Sequence, residues 1–413
     1  MTLKTITKDS ISNKKVLLRV DFNVPLKEVD GKFLVQDDTR IKNALKTITF
    51  LLENQAQVII ISHLGRPEGK MNLDYSLLPT ARKLSQLLNQ DVLFTTLHEA
   101  LEDKLSHPLV MLENLRFDKE EEENSPVFAK KLASLAEVYV NESFSTSHRA
   151  HASVAAITEI LPSYAGFALT QEVNYLASLI ENPQKPFVVV VGGAKISDKI
   201  SAIKKLANIA DCVLVGGGVS NNFLKADGFE VANSYLEDKP VDKTKKNTDF
   251  VKFADRLLDS NQQEHFLIND FLPLPKIIYP VDVIAAVSME AKTTQTINLL
   301  ESDPLVPISD DLMYLDIGPK TIKLFEMVIK QAKTIFWNGP MGVFEKELFS
   351  NGTTKIAKAI AESQATSVLG GGDTISAIDQ LKLTSKYTYI STAGGASLEF
   401  LSGKILPGLK PLT

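Results

Sequence analysis

The chain has 413 residues, of which 44% are hydrophobic and 23% charged, a composition typical of a globular protein with two or three domains. Its net charge of −5 argues against a general nucleic-acid-binding protein, and its single cysteine excludes disulfides and zinc sites of the CxxC type. No apolar run approaches the ~18 residues of a membrane span, and the N-terminal residues lack the apolar stretch of a secretory signal. We therefore expect a cytoplasmic enzyme without nucleic-acid or membrane partners.

Short β-branched runs alternate with longer segments of helical spacing along the whole chain. The run at 188–191 is apolar at every position, which is typical of a strand covered on both faces in a parallel sheet. Strands that alternate with helices indicate βαβ units. The pattern predicts an α/β fold with strands at 15–20, 58–62, 109–112, 137–140, 187–191, 211–215, 277–281, 334–337, 367–369 and 387–390.

Glycine divides the chain into two halves of different character. Residues 1–185 contain four of the 21 glycines, and the other 17 lie in 186–413, many of them directly after predicted strands. Between the halves, 170–186 carries apolar residues at helical spacing and ends in prolines, which predicts a connecting helix. We expect two α/β domains that bind different ligands.

Basic side chains follow the predicted strands of the first half. Ligands of open α/β sheets bind beyond the carboxyl ends of the strands, so these side chains should converge there. A single arginine or histidine is more often a surface or structural residue, and we interpret His98, His107, His151 and His265 in that way. Six together predict a site for a small, multiply anionic molecule, formed by Arg40, His63, Arg66, Arg116, His148 and Arg149.

Glycine-rich segments follow the strands of the second half. The segment 192–199 fits neither a Walker A loop nor a GxGxxG motif, and on a helix its Lys195 and Lys199 would share a face. The glycines at 370–372 precede a predicted helix, whose free amides could bind phosphate. Asp373 could hold Mg²⁺ or cap that helix, and the segment 393–399 repeats the design. For 216–218, close helix packing remains an alternative to nucleotide contact, and we assign Cys212 and Trp337 to the strand core.

Six motifs resemble, in order, those of the phosphoglycerate kinase family, and the similarity runs from about residue 15 to residue 408. They are 19–25 (RVDFNVP), 62–66 (SHLGR), 192–195 (GGAK), 315–320 (LDIGPK), 337–345 (WNGPMGVFE) and 370–374 (GGGDT). The sequence departs from the usual motifs at Glu142, Ser145, Ser147, Val219 and Ala393. Ala393 would be strained if its position required a positive φ.

The resemblance implies an α/β fold of two Rossmann-like, doubly wound parallel-sheet domains joined by a helical hinge. The implied boundaries are 1–170, a hinge at 171–186, 187–390, and a C-terminal segment, 391–413, that packs back on the first domain. By similarity, 3-phosphoglycerate would be bound by Asp21, Asn23, Arg40, His63, Leu64, Gly65, Arg66, Arg116, His148 and Arg149. ATP or ADP would be bound by Gly193, Ala194, Lys199, Gly217, Gly318, Asn338, Pro340, Glu345, Gly371, Gly372, Asp373 and Thr374, with Mg²⁺ on Asp373.

The implied reaction is reversible phosphoryl transfer between 1,3-bisphosphoglycerate and MgADP, by a monomer that closes around a hinge. Arg40, Lys195, Gly372 and Gly395 would act on the transferring group. We expect no general base, because the acceptor in the reverse direction is already a carboxylate. A catalytically inactive binding protein would be expected to lack Arg40, Lys195 or Asp373, and an NAD-dependent dehydrogenase would need the missing GxGxxG motif.

Overall fold

The computed structural model describes residues 1–102, 105–237, 249–269, 272–300 and 308–413. They form two compact units: the first unit is Met1–Asn174 with Lys404–Thr413, and the second unit is Tyr175–Gly403. Each unit contains a six-stranded sheet with parallel neighbouring strands and flanking helices, which confirms the predicted fold class. The sequence-based boundaries at 170, 186 and 390 stay predictions. Within the described part of the chain, no helix has both the length and the apolar character needed to cross a membrane.

The first unit has its sheet in the order β5-β6-β4-β1-β7-β8, with β2 and β3 forming a separate hairpin. Its strands are β1 (Lys15–Arg19), β2 (Leu26–Val29), β3 (Lys32–Val35), β4 (Gln57–Ile61), β5 (Leu93–Thr95), β6 (Leu109–Leu112), β7 (Val138–Asn141) and β8 (Ser163–Ala165). Its helices are α1 (Lys8–Ile11), α2 (Thr39–Glu53), α3 (Leu78–Leu88), α4 (Leu97–Glu102), α5 (Lys119–Glu122), α6 (Pro126–Ala133) and α7 (Phe167–Glu181), which continues into the second unit.

Apolar residues cover this sheet on both faces. Val16 and Leu18 of β1 belong to one buried cluster with α2 and α3 residues, whereas Leu17 belongs to another with α6 residues. Successive strand side chains point to opposite faces, so a continuous apolar run is what such a strand requires. The connecting helix α7 begins three residues before the predicted segment.

The second unit has its main sheet in the order β13-β10-β9-β17-β18-β19, beside an antiparallel sheet of order β15-β14-β16 and the hairpin of β11 and β12. Its strands are β9 (Phe187–Val191), β10 (Cys212–Val215), β11 (His265–Ile268), β12 (Leu272–Pro275), β13 (Ile277–Ile278), β14 (Asp282–Ala286), β15 (Gln295–Asn298), β16 (Met313–Ile317), β17 (Thr334–Asn338), β18 (Thr366–Gly370) and β19 (Tyr389–Ile390). Its helices are α8 (Ile200–Ala207), α9 (Gly217–Ala226), α10 (Phe250–Ser260), α11 (Pro319–Ile329), α12 (Asn351–Glu362), α13 (Gly372–Gln380) and α14 (Gly395–Leu401).

Cys212 and Trp337 are fully buried in the strand core, as predicted. Two other expectations for this unit are wrong. The predicted strand at 277–281 ends at Ile278, and the chain then enters β14 of the antiparallel sheet. Lys195 and Lys199 share no helix face, because the chain turns at 197–199 and α8 begins only at Ile200.

The strand orders place one topological switch point in each unit. In the first unit the order reverses between β1 and β7, and in the second between β9 and β17. The connections diverge at such a point and leave a crevice beyond the carboxyl ends of the strands, where ligands of open α/β sheets bind. Ligands are therefore expected beside the segments that follow β1 and β7 and beside those that follow β9 and β17.

Candidate functional site

Asp21 organises the switch point of the first unit. Its Oδ2 accepts from Arg40 Nη1 at 2.6 Å and from the Ser145 hydroxyl, while its Oδ1 accepts from the backbone N–H of Asn23 at 3.0 Å. Arg40 lies in the first turn of α2, and Ser145 follows β7. One carboxylate therefore fixes a guanidinium beside the ends of two sheet strands.

The turn after β4 is hydrogen-bonded to residues at the same switch point. Asn23 Oδ1 accepts from the N–H of Gly65 at 2.9 Å, and Arg116 Nη1 donates to the Gly65 carbonyl at 2.6 Å. Gly65 has φ +61°, and a Cβ there would overlap the ring of Tyr75, so the position requires glycine. Leu64 is buried next to it. We call Asp21, Asn23, Arg40, His63, Gly65 and Arg116 the anion site.

Arg116 is a buried cation of this site. Its side chain is 3% exposed, its Nε lies 3.2 Å from Glu122 Oε1, and its Nη2 has no hydrogen-bond partner within the described ranges. Burial lowers the pKa of its guanidinium to about 10, which leaves it charged at neutral pH. A buried guanidinium with an unused N–H group is suited to an anionic oxygen.

His63 lies among positive charges. Burial, together with the charges of Arg19, Arg116, Arg149 and Arg40, holds the pKa of its imidazole well below 6.5. The ring is neutral at physiological pH, and the positive charge of the site resides on the arginines. Arg149 is partly buried, and its Nε donates to His148 Nε2 at 3.3 Å.

Arg66 follows Gly65 in the chain and is exposed, and the contacts above do not include it. Arg19, by contrast, is fully buried and lies 3.2 Å from the His63 ring. Although Arg19 stands in the first motif, sequence reasoning did not place it in the site. Its signal was available, because an arginine at the end of an otherwise apolar buried strand needs polar partners.

Three glycine-containing segments pack against one another at the switch point of the second unit. The Gly193 N–H donates to the Pro340 carbonyl at 2.7 Å, and the Gly217 N–H donates to the Met341 carbonyl at 3.0 Å. A Cβ at Gly217 would lie 2.8 Å from Gly193 N, and one at Gly339 would overlap Gly192 O. Backbone packing therefore requires glycine at these positions, in line with the packing alternative given for 216–218. Gly193 and Gly217 also line the cavity of this unit, so their contact with a nucleotide stays a prediction.

Other glycines of this unit border open space. A Cβ at Gly372, Gly394 or Gly395 would meet no atom within 4 Å. Gly371, with φ +95°, caps α13, and Gly394, with φ +58°, precedes α14. Ala393 is not among the residues with positive φ, so the strain considered for it does not arise, because Gly394 adopts that conformation instead.

Lys199 lies beside the Gly193 turn, since its Nζ would be 3.3 Å from a Cβ at Gly193. Burial lowers the pKa of its ammonium group, and the charges of Asp198, Asp373 and Glu237 act in the opposite direction. Glu237 is buried and accepts from the Ser197 N–H at 2.9 Å. The sequence contained no indication of Glu237, because this residue lies outside all the motifs and at no fixed spacing from them.

The other predicted nucleotide and catalytic residues near α13 differ in burial and in their contacts. Asp373 is exposed in the first turn, and the cap is Gly371, so the alternative of Asp373 as the N-cap is wrong. Thr374 Oγ1 accepts from the Gly339 N–H at 2.7 Å, which ties the helix to the turn after β17. Asn338 is buried at the end of that strand, and Lys195 is exposed.

A cavity of about 530 Å³ opens beside these segments. Of the predicted nucleotide residues, it is lined by Gly193, Ala194, Gly217, Pro340, Glu345 and Asp373. Much of the remaining lining is apolar, including Met289, Met313 and Tyr314, which sequence reasoning did not identify. The size and the combination of apolar walls with a few polar groups suit a small organic ligand. Lys199 and Gly318 do not line this cavity, and Gly318 instead caps α11.

Comparisons with known proteins agree across the whole chain. A family model described as phosphoglycerate kinase matches residues 6–404. A phosphoglycerate kinase of Thermosipho africanus is 45% identical over 415 residues, covering 98% of this chain and 96% of that protein. One of Clostridium tetani is 42% identical over 422 residues, covering 99% and 97%.

Solved structures give the same result. The structure of phosphoglycerate kinase from Coxiella burnetii has a TM-score of 0.85 and 39% sequence identity, and the match covers 100% of this chain and 99% of that one. A crystal structure of phosphoglycerate kinase from Pyrococcus horikoshii OT3 has a TM-score of 0.77 and 35% identity, covering 99% and 98%.

Proposed function

This chain belongs to the phosphoglycerate kinase family, and from that premise we propose how its residues divide the reaction. The family reaction is reversible phosphoryl transfer of glycolysis, in which 1,3-bisphosphoglycerate and ADP give 3-phosphoglycerate and ATP. In our proposal the first unit binds the phosphoglycerate and the second unit binds the nucleotide.

The observation that carries the first half of this proposal is the buried Arg116, whose Nη2 has no partner in the described part of the chain. Arg40, fixed by Asp21, adds a second guanidinium. Two arginines beside a neutral His63 can bind carboxylate and phosphate oxygens through charged hydrogen bonds. Asn23, Leu64 and Gly65 would shape the turn, and the outer side of the site would be completed by Arg66, His148 and Arg149.

For the nucleotide, the cavity of the second unit offers apolar walls for a base, and Glu345, which lines the cavity, would bind the ribose. The phosphates would lie towards Lys199, the start of α13 at Gly371–Thr374 and the start of α14 at Gly395. Gly371 caps α13, and a Cβ at Gly372 or Gly395 would meet no atom within 4 Å. Asn338, the last residue of β17, and Gly318, which caps α11, would also contact the nucleotide. Free amides at a helix N-terminus favour phosphate oxygens.

Asp373 fits the proposed magnesium ion. Mg²⁺ is commonly held by one or two carboxylates together with substrate phosphates rather than by a cage of protein ligands. In agreement with this mode, no group of three or more His, Cys, Asp or Glu side chains within the described residues could hold a metal. When bound, the ion would neutralise charge on the nucleotide phosphates.

The transfer step needs positioning and charge stabilisation rather than a base. An acyl phosphate donates its phosphoryl group to ADP, and in reverse a carboxylate accepts it, so no hydroxyl proton has to be removed. In the proposed in-line transfer, Arg40 and Lys195 neutralise the moving group, and the amides of Gly372 and Gly395 donate to its oxygens. No histidine is phosphorylated in this scheme.

Because the two sets of residues belong to different units, the proposal includes closure about α7, which runs across the boundary between them. We further propose that the protein acts as a cytoplasmic monomer without nucleic-acid or membrane partners. Light scattering on the purified protein tests the monomer, and a dimer would contradict it.

A coupled assay tests the function directly. The purified chain, given 1,3-bisphosphoglycerate and MgADP, should form ATP, and it should form 1,3-bisphosphoglycerate from 3-phosphoglycerate and MgATP. A folded protein that binds 3-phosphoglycerate but forms no ATP would instead be a binding protein. NAD in place of the nucleotide serves as the negative control for a dehydrogenase.

A further inference from the structure

Arg19 is the last residue of β1, two positions before Asp21 of the anion site, and is fully buried. All three nitrogen atoms of its guanidinium lie against other groups. Nε donates to Ser153 Oγ at 2.9 Å, Nη1 donates to the Val20 carbonyl, and Nη2 lies 3.2 Å from Nδ1 of His63. Among the side-chain hydrogen bonds of the described residues, Arg19 therefore reaches the anion site through the histidine ring.

The contact between Arg19 and His63 has a fixed direction. A guanidinium has N–H donors and no acceptor, and it stays protonated in proteins. Nδ1 of His63 must therefore accept, and a ring nitrogen that accepts carries no proton. The proton of the neutral ring then resides on Nε2. A doubly protonated ring would bring an N–H group against an N–H group at this contact.

Arg19 is itself held in place from behind. Ser153 Oγ, which accepts from Arg19, donates to Glu121 Oε1 at 2.6 Å, and the Ser153 N–H donates to Glu121 Oε2 at 2.9 Å. The Tyr139 hydroxyl donates to the Ser153 carbonyl at 2.8 Å. Glu121 is fully buried, and burial raises the pKa of its carboxyl group, whereas Arg19 and the two hydrogen bonds from Ser153 act in the opposite direction. The orientation of the guanidinium is thereby determined before any ligand arrives.

The charged groups around His63 act in the same direction. Arg19 approaches from β1, Arg40 from α2, Arg116 from the turn after β6, and Arg149 from the segment after β7. Each of the four charges disfavours a second proton on the ring, and burial disfavours it most. The direction of the hydrogen bond and the surrounding positive charges thus both favour a neutral imidazole ring at His63.

We propose that Arg19 is a positioning residue for the reaction: it holds His63 as the Nε2–H tautomer, so that His63 offers the anionic substrate an uncharged hydrogen-bond donor. This inference rests on the proposed assignment of His63 to the 3-phosphoglycerate site. It follows that the contribution of His63 to substrate affinity does not vary with pH around neutrality, and that the positive charge of the site comes from its arginines and not from His63.

The tautomer can be observed in the intact, unmodified protein. In protein labelled with ¹⁵N-histidine, long-range ¹H–¹⁵N correlations distinguish protonated from unprotonated ring nitrogens, and a His63→Gln variant identifies the signals of this ring among the six histidines. We expect Nε2 protonated, Nδ1 unprotonated and no titration between about pH 5.5 and 8. A proton on Nδ1, or a titration near pH 6.5, would overturn the proposal.

Two variants separate positioning from a structural role. Lysine has only donors, so Arg19→Lys should keep the Nε2–H tautomer, whereas Arg19→Gln offers an acceptor and should release it. We expect the KM for 3-phosphoglycerate to rise roughly tenfold in Arg19→Gln and less than threefold in Arg19→Lys, with kcat changing less than KM. Arg82→Gln, a change of an exposed arginine on α3, is the matched control and should leave both constants unchanged.

Equal impairment of the lysine and glutamine variants, or an unchanged tautomer in a weakly binding Arg19→Gln, would reduce Arg19 to a structural residue and contradict the inference. If neither variant folds, the spectrum of the unmodified protein still decides the tautomer. Addition of 3-phosphoglycerate gives a separate result. His63 signals that do not shift would refute the substrate-site assignment, whatever the tautomer.

Discussion

At the scale of single residues, the two proposed sites stabilise charge in different ways. Arg116 is buried and stays charged at neutral pH although burial lowers its pKa to about 10, so neighbouring protein groups and a bound anion, rather than water, stabilise its charge. Asp373 is exposed and faces solvent at the start of a helix. Removing the Arg116 side chain should weaken substrate binding at the anion site strongly, whereas removing the Asp373 carboxylate should change only the dependence of turnover on Mg²⁺.

Replacing Arg116 by alanine should weaken 3-phosphoglycerate binding roughly 10–100-fold, the effect of one or two charged hydrogen bonds. ADP affinity should stay nearly constant, because the nucleotide residues belong to the other unit. Titration calorimetry with each ligand measures both values. Arg82→Ala serves as the control, and an equal loss for both ligands would contradict the division of sites.

Replacing Asp373 by asparagine keeps the shape of the side chain but removes a charged ligand for Mg²⁺. We expect a higher Mg²⁺ concentration for half-maximal turnover and unchanged metal-free binding of 3-phosphoglycerate. Asp379→Asn, at the other end of α13, is the matched control. An unaltered Mg²⁺ dependence would move the metal to another residue.

At the scale of secondary-structure elements, the beginning of α7 depends on a carboxyl group from another part of the chain. Glu142 follows β7, is buried, and accepts from Thr47 Oγ1 at 2.5 Å and from the N–H groups of Ala168 and Leu169 at 3.1 and 3.3 Å. Amides of the first turn otherwise lack partners, so this contact stabilises the helix. It also gives the unusual glutamate at this position a structural role.

Burial raises the pKa of Glu142 from 4.5 to about 7, so folding favours its protonated form. This contribution to stability is complete below about pH 4.5 and is lost as the pH rises through 7. In Glu142→Gln, the free energy of unfolding should therefore fall less steeply between pH 5 and 8, by up to about 1 kcal/mol per pH unit. Urea unfolding of both proteins measures the slopes, with the exposed Glu137→Gln as control. Parallel slopes for Glu142→Gln and the unmodified protein would refute this account.

At the scale of the whole molecule, the reaction requires two ligands held by different units. Phosphoryl transfer needs the reacting atoms about 3–3.5 Å apart, and closure also excludes water as a competing acceptor. The helix α7 crosses from one unit to the other and offers a hinge for this motion. The ligands need open access to their sites in order to bind and leave, whereas phosphoryl transfer needs the two ligands in contact. One rigid arrangement of the two units would meet both needs poorly.

We expect the radius of gyration to fall only when 3-phosphoglycerate and MgADP are both bound, which small-angle scattering measures. Lys195→Ala should reduce turnover by ~10²–10³-fold, the scale for losing one transition-state donor, and leave the scattering change intact. Lys204→Ala on α8 is the control for loss of an exposed lysine. Identical radii for the ligand-free protein and the ternary complex would refute closure.

By itself, the sequence located the central strands of both parallel sheets and showed that they are buried on both faces. It did not predict β5, β8, the two hairpins or the antiparallel sheet of β14, β15 and β16. Continuous apolar runs such as that of β9 can be satisfied only between two layers of helices, so the α/β class follows from local pattern. The motifs after the strands named most of the residues now found at the two switch points. Local sequence carries this information because the ligand-binding segments follow their strands directly.

Only the tertiary structure decided the order of the strands and therefore which loops meet. The reversal between β1 and β7 is what brings Ser145 to Asp21, across 124 positions of the chain, and no local pattern encodes that contact. The close backbone packing of the glycines at 192–193 and 216–218, the buried position of Glu237 and the direction of the Arg19 contact to His63 were decided in the same way. Packing and burial are properties of neighbours in space, and burial is what turns an ordinary side chain into one with a displaced pKa and a fixed proton.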